Sequence, residues 1–294
     1  PTAERPRGAP ESAQPLDAII IGGGPAGLQA ALTFARVHRR VVVLDSGEYR
    51  NATVEHAHNL IGHDGAAPAA LRARAREELA AYDTVELLAA DARSVTPDGG
   101  LMSVDTSVGV FTSRAVVLAT GIRDVLPEIP GLAELWGKEA AQCPFCHAHE
   151  FAGRPLVLLA EGPHVSKMTS LLGPVASTVT VIAPSAPQRI ERHEGGVRIH
   201  TAEGMIDAAA VFLAPTPEQR SEIPAQLGLT MLPSGCVEVD VMGRTSVPGV
   251  YAAGDMAHMA ARPGPLVSLA SAIAAGQIAA SSAIFDAIDA HTVS

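Results

Sequence analysis

Aromatic residues are few in this chain of 294: one Trp, three Tyr and six Phe. The core must therefore be built mostly from Ala, Val, Leu and Ile. Cysteine is rarer still, at three. That count excludes a disulfide-stapled scaffold and suits a reducing compartment. Positive charge is also short: 21 Lys and Arg stand against 31 Asp and Glu, a net charge of −10. A nucleic-acid binder needs a basic face, so that class is set aside. The first 14 residues are polar and Pro-rich, with no apolar stretch suited to a signal peptide. They read as a disordered tail. The longest uncharged run, 266–285, meets the length of a membrane span. Ser268, Ser271, Gln277, Ser281, Ser282 and Gly276 argue instead for a buried helix of small residues, packed closely against a neighbour. The expectation is a soluble, cytoplasmic protein without a membrane partner.

What is present is apolar and ordered. Hydrophobic residues make up 47% and charged ones 18%, which argues against extensive disorder. The length suits two domains, each able to bury a core. A strand is predicted at 17–21, followed by Gly22-Gly23-Gly24-Pro25-Ala26-Gly27, a helix over 28–37 and a buried strand at 41–44 ending on Asp45. This is a βαβ unit. A helix over 71–82 carries Arg72, Arg76 and Glu77 on its wet face, and short strands follow at 85–88, 102–106 and 116–119. Residues 123–136, rich in Pro, Gly and Asp, read as a linker. Strand 156–159, Gly162, a helix and strand 179–182 then repeat the first unit weakly.

Gly22-x-Gly24-x-x-Gly27 is the strongest local motif. Gly22 allows the tight turn, Gly24 lets the backbone approach a pyrophosphate, and Gly27 lets helix and strand pack closely. The helix N-terminus supplies unpaired N–H groups for phosphate. Asp45 ends the next strand and is placed to hold a ribose hydroxyl, with Glu48 as its rival. Alone, Gly254-Asp255 is a turn. Together with Ala119-Thr120-Gly121 and the first fingerprint, it indicates a flavin fold split around an inserted domain.

Cys143-Pro144-Phe145-Cys146 brings two sulfurs within bonding distance. Zinc needs two more ligands; Cys236 is the only other cysteine, and His147 and His149 lie too close for a finger. A redox disulfide is favoured over zinc and over inert thiols, and no metal is expected. His147 directly follows the second cysteine and can move a proton near neutral pH as thiols and thiolates interchange. His149 and Glu150 are candidates to orient or tune it. Cys236, in a turn, reads as an isolated thiol.

With these motifs in this order, the sequence resembles the thioredoxin-reductase-like FAD flavoproteins, over nearly the whole chain after the tail. In thioredoxin reductases an Asp usually follows the second cysteine; here His147 stands there. Cys-Pro-aromatic-Cys-His with Glu150 resembles the dithiol-oxidase branch, which includes the gliotoxin and holomycin disulfide-forming enzymes. The segments 58–65 (His58-Asn59-Leu60-Ile61-Gly62-His63-Asp64-Gly65) and 126–131 are similar to that branch too. Ala148-His149 departs from it, since relatives commonly carry Gly and an aromatic there.

The resemblance implies an α/β chain of two Rossmann-like, three-layer domains of FAD/NAD(P) type. It divides into a tail (1–15), a split FAD domain (16–121 and 241–294) and an inserted NAD(P)-type domain (122–240) carrying the CxxC. It implies FAD held by Gly22, Gly24, Pro25, Ala26, Gly27, Asp45, Asn59, Thr120, Gly121, Gly254 and Asp255, and chemistry by Cys143, Cys146, His147 and His149. The second fingerprint is eroded to Ala160-Glu161-Gly162-Pro163-His164-Val165-Ser166, and no basic cluster for a 2′-phosphate follows 179–182. That half is expected to keep its fold without binding NADPH; a degenerate but working site is the rival. The branch then implies oxidation of a small-molecule, natural-product dithiol, with electrons passing through FAD to O2 to give H2O2. The alternatives are a thioredoxin-type disulfide reductase driven by NADPH or ferredoxin, and a non-catalytic flavin-binding redox sensor. A homodimer is the family expectation.

Overall fold

Residues 15–292 are described by the structure, a computed structural model; the tail expected over 1–15 lies outside them but for Pro15. The chain opens with β1 (Leu16–Ile21), α1 (Pro25–Ala35), β2 (Val41–Asp45), α2 (Pro68–Leu79) and β3 (Val85–Ala89). An antiparallel meander follows: β4 (Ala92–Asp98), β5 (Leu101–Thr106) and β6 (Gly109–Leu118). The sheet order is β3-β2-β1-β6-β5-β4. Ile19, Ile20 and Ile21 are buried on both faces of β1, which runs parallel to β2 on one side and β6 on the other. A run apolar on both faces belongs at such a centre.

The chain then leaves through β7 (Ile122–Val125), α3 (Leu132–Leu135), β8 (Ala140–Ala141), the one-turn α4 (Pro144–His147), β9 (Pro155–Leu159), α5 (His164–Leu172) and β10 (Thr178–Ile182). A second meander, β11 (Pro187–His193), β12 (Gly196–Thr201) and β13 (Gly204–Ala208), precedes β14 (Ala210–Leu213). Strands β10-β9-β14-β8 form a parallel sheet, and β11-β12-β13 cover it through Ile190, Val197 and Ile199. β15 (Thr216–Gln219) pairs antiparallel with β7, making a two-stranded crossing between the two units. Both expected Rossmann-like units are present.

The return comes earlier than residue 241. After α6 (Ile223–Gln226), Ile223, Leu229 and Val237 are buried with Ile122 of β7 and with Val116 and Leu118 on the first sheet. β16 (Val237–Glu238), β17 (Val250–Ala252) and β18 (Ala257–His258) follow, and β17 joins β6 in parallel. The last element, α7 (Leu269–Thr292), is long and apolar enough to cross a membrane by length and composition. Gly276 explains its place in the fold: a Cβ there would lie 2.0 Å from the Ala26 carbonyl oxygen, so α1 and α7 touch backbone to backbone. Beyond this seam Asp286 accepts from Arg244 (2.6 and 2.8 Å) and Tyr251 (2.6 Å). The helix is not buried throughout, as Ile278, Phe285 and Ile288 are exposed.

One surface expectation is overturned. Arg72, expected on the wet face of α2, is buried; its guanidinium lies 3.8 Å above the Tyr49 ring and donates to Asn51 at 3.0 Å. An arginine stem with a flat cationic head packs well on an aromatic face.

Candidate active site

The first fingerprint forms by close approach of backbone. Gly22 has φ +118°, and a Cβ there would stand 2.2 Å from the Ala119 carbonyl oxygen. A Cβ at Gly27 would lie 1.8 Å from the Gly22 carbonyl oxygen. Gly24 differs: its backbone is extended (φ −80°, ψ −177°), and a Cβ would meet nothing within 4 Å. That open space belongs to a cavity of about 670 Å³. Gly22, Gly24, Pro25, Ala26, Asp45, Asn59, Thr120, Gly121, Gly254 and Asp255 all line it. Gly27 does not; it serves the packing beneath.

Asp45 is held rather than free. Its carboxylate leans over Gly23 and accepts from the Gly47 N–H (3.0 Å), the Tyr49 hydroxyl (2.7 Å) and Arg76. Burial pushes its pKa up, but these donors outweigh burial and hold the carboxyl below its ordinary range. Glu48, its rival, is exposed and pairs with Arg220 at 2.9 Å. A larger hub stands beside them. Arg50 donates to both oxygens of Asp124 (2.6 and 2.9 Å), to Asp255 (2.9 Å) and to Gln142 (2.8 Å). One guanidinium thus ties the β2 loop, the β7 crossing, the Gly-Asp turn and the residue before Cys143. Burial still pushes the Asp255 carboxyl up, with Arg50 opposing.

Cys143, Cys146 and His147 line the same cavity. Cys143 caps α4, the Cys146 N–H donates to the Cys143 carbonyl at 3.1 Å, and the sulfurs form a disulfide. Phe145 between them is exposed. Both ring nitrogens of His147 are shielded from water and have no hydrogen-bond partner among the described residues. Burial pushes its pKa below the ordinary imidazole value; the carboxylate of Glu150 opposes this and His58 adds to it. His149 is exposed in the turn at His149–Phe151 and does not line the cavity. Cys236 is a buried free thiol whose Sγ faces the Asp255 carbonyl at 3.6 Å.

Trp136 and Gly137 line the cavity where the two units meet. Gly137 has φ +81° and a Cβ there would come 2.5 Å from the Thr53 hydroxyl. Trp136 also walls a smaller cavity of about 400 Å³ with Thr53 and Lys138, and Lys138 pairs with Glu55 at 3.3 Å.

Known proteins resemble this chain over most of its length. The model of pyridine nucleotide-disulphide oxidoreductases matches residues 16–162 and 175–279. The chain belongs to that family. Among curated relatives, thioredoxin reductase tcpT of Claviceps purpurea is 34% identical, over 90% of this chain and 92% of its own. Thioredoxin reductase sirT of Leptosphaeria maculans is 29% identical, over 94% and 95%. Among solved structures, HlmI superposes with a TM-score of 0.86 at 30% identity, covering 96% of this chain and 95% of its own. The chain is a thioredoxin-reductase-like flavoprotein and a disulfide oxidoreductase. FAD is the cofactor of this family, and the residues fit it. The space above Gly24 is the one a side chain would fill, and the cavity runs on to the disulfide.

Sequence reading did not find Arg50, Asp124 or Gln142, and it quoted His58 only within the segment 58–65, without a role. Arg50 meets partners 74, 92 and 205 residues away, and no local pattern encodes such a meeting.

Proposed function

We propose that this protein oxidises small-molecule dithiols to cyclic disulfides and passes the electrons through FAD to O2, forming H2O2. The observation that carries the reading is the single cavity shared by the Gly22–Gly24 cradle, the Cys143–Cys146 disulfide and the unpartnered His147. In this reading residues 16–121 and the C-terminal segment hold the cofactor, and the inserted unit carries the CxxC. Gly22, Gly24, Pro25, Ala26, Thr120, Gly121, Gly254 and Asp255 hold FAD, Asp45 and Asn59 shape its loops, and Gly27 seats α1. When bound, FAD accepts the electron pair and delivers it to oxygen.

The protein's own part is thiol–disulfide exchange and proton transfer. His147 takes the proton of the first substrate thiol. The resulting thiolate attacks Cys143, the Cys143–Cys146 bond breaks, and Cys146 leaves as a thiolate. The second substrate thiolate attacks the sulfur bound to Cys143, closing its own disulfide and releasing Cys143 as a thiolate. The substrate has lost two electrons and two protons; the cysteine pair has gained the electrons, His147 holds the first thiol's proton, and the second thiol's proton passes to the Cys146 thiolate.

The direction is supported by the second unit. Glu161 and Pro163 are exposed at the head of α5, and Pro163 is its N-cap. Proline has no N–H to offer a phosphate and Glu161 repels one, so NADPH has a poor seat. The exposed Ile278, Phe285 and Ile288 on α7 suit a homodimer, and the low cysteine count suits the cytoplasm.

The test is to mix the flavin-loaded protein with dithiols and air, without NADPH. Oxygen uptake, H2O2 formation and transient bleaching of the flavin are expected. Their absence across a panel of small dithiols, with bleaching by NADPH instead, would establish the reductase reading that the names of the curated relatives favour.

A further inference from the structure

The loop that carries His58 is closed on itself and aimed at the CxxC segment. An Ala57–Ala66 β-bridge shuts its base, and the His56 ring lies 3.0 Å from the Gly65 carbonyl. Asn59 takes φ +62° there, a left-handed conformation that Asn tolerates. This turns the Asn59 N–H onto the Asp64 carboxylate at 2.7 Å. His58 is then flanked on both ring nitrogens: Nδ1 is 3.5 Å from Asp64, and Nε2 is 3.4 Å from Glu150. Glu150 lies three residues after His147, on the other unit. His58 and His147 line the same cavity.

The Nε2–Glu150 contact spans the boundary between the two units at ion-pair distance.

We propose that His58 is a positioning residue for His147: paired with Glu150 and Asp64, it sets the charge around the buried imidazole and so the pH at which that imidazole accepts a thiol proton. This rests on the reading of His147 as the base of the dithiol exchange. The charged and titratable groups facing the pair are few. Glu150 favours a protonated His147 and His58 disfavours it. Asp64 faces His58, and His149 adds a weaker influence on Asp64. Cys143 and Cys146 sit on the same segment and are joined as a disulfide. α5, which also packs on this segment, contributes apolar Met168 and Leu172 to a cluster with Ala148.

The two neighbours push in opposite directions, and this makes the proposal testable without substrate. The ring resonances of His147 are followed by NMR through a pH titration of the oxidised, flavin-loaded protein, with the assignment fixed by His147→Gln. His58→Gln is expected to raise the His147 midpoint by about 0.5 pH unit and Glu150→Gln to lower it by about as much. His58→Lys, which keeps a cation facing Glu150, is expected to hold the wild-type midpoint; a purely structural loss would not be rescued by it. The acid limb of single-turnover disulfide reduction by dithiothreitol is expected to move with the NMR midpoint. Midpoints that stay fixed in both glutamine variants, or that move the same way, overturn the proposal. If the midpoints move oppositely but no dithiol reduces the wild-type disulfide, the oxidase reading fails and the coupling stands. If reduction is rapid and the midpoints do not move, the coupling alone fails.

Discussion

The glycines of the first fingerprint do different work, and substitution separates them. At Gly24 alanine fits the backbone and meets no protein atom. Gly24→Ala is expected to leave apoprotein stability within about 0.5 kcal/mol while lowering retained FAD sharply, read by the flavin-to-protein absorbance ratio. At Gly27 the added methyl meets the Gly22 carbonyl. Gly27→Ala is expected to cost about 2 kcal/mol by overpacking, read as a lower melting temperature even without flavin. His147 gives a second prediction. Because burial holds its pKa below the usual 6.5, the neutral ring persists into more acid solution. The acid limb of disulfide reduction by dithiols should therefore fall below pH 6.5, and His147→Gln should remove it. These residues were legible because fingerprint and CxxC are local spacings that chemistry demands. Arg72 was misread because its burial depends on Tyr49, which reaches it only through the fold.

At the scale of elements, the α1–α7 seam is a point of close constraint. Small residues along 266–285 announced a close contact, and Gly276 against Ala26 is that contact. The helix ends were less legible, since α7 runs on to Thr292 through Asp286, whose value lies in Arg244 and Tyr251 on other elements. Gly276→Ala is expected to force the helices apart and cost about 2–3 kcal/mol, with FAD lost in parallel because Ala26 and Ala272 line the cavity. Tyr251→Phe removes one charge-assisted hydrogen bond from a buried hydroxyl and is expected to cost about 1–2 kcal/mol. Its urea midpoint should fall while flavin content stays unchanged. The second meander, β11–β13, had no signature before the structure. Its strands alternate imperfectly, and its packing partner is another sheet.

At the scale of the whole molecule, two units meet around one cation. The doubled strand–turn–helix–strand pattern was enough to expect two Rossmann-like units. It could not show that Arg50 would join them, nor that the chain would return to the first sheet as early as Ile223. Arg50→Met is expected to leave Asp124 and Asp255 facing each other unpaired in a half-buried site. A loss of about 3 kcal/mol follows. Asp255, already pushed up by burial, should then bind a proton more readily. Stability of the variant relative to wild type should recover as pH falls, because protonating either carboxylate relieves the repulsion; chemical unfolding at pH 5 and pH 8 checks the sign.

The scarcity of aromatics has a practical side. The chain's one tryptophan, Trp136, stands in the wall between the cofactor cavity and the inter-unit cavity. Its fluorescence therefore reports from a single known address, without background from other indoles. Flavin loading should dim that emission by energy transfer. Any hinge-like separation of the units during turnover should restore it, so the molecule carries its own internal gauge of whether the domains part company.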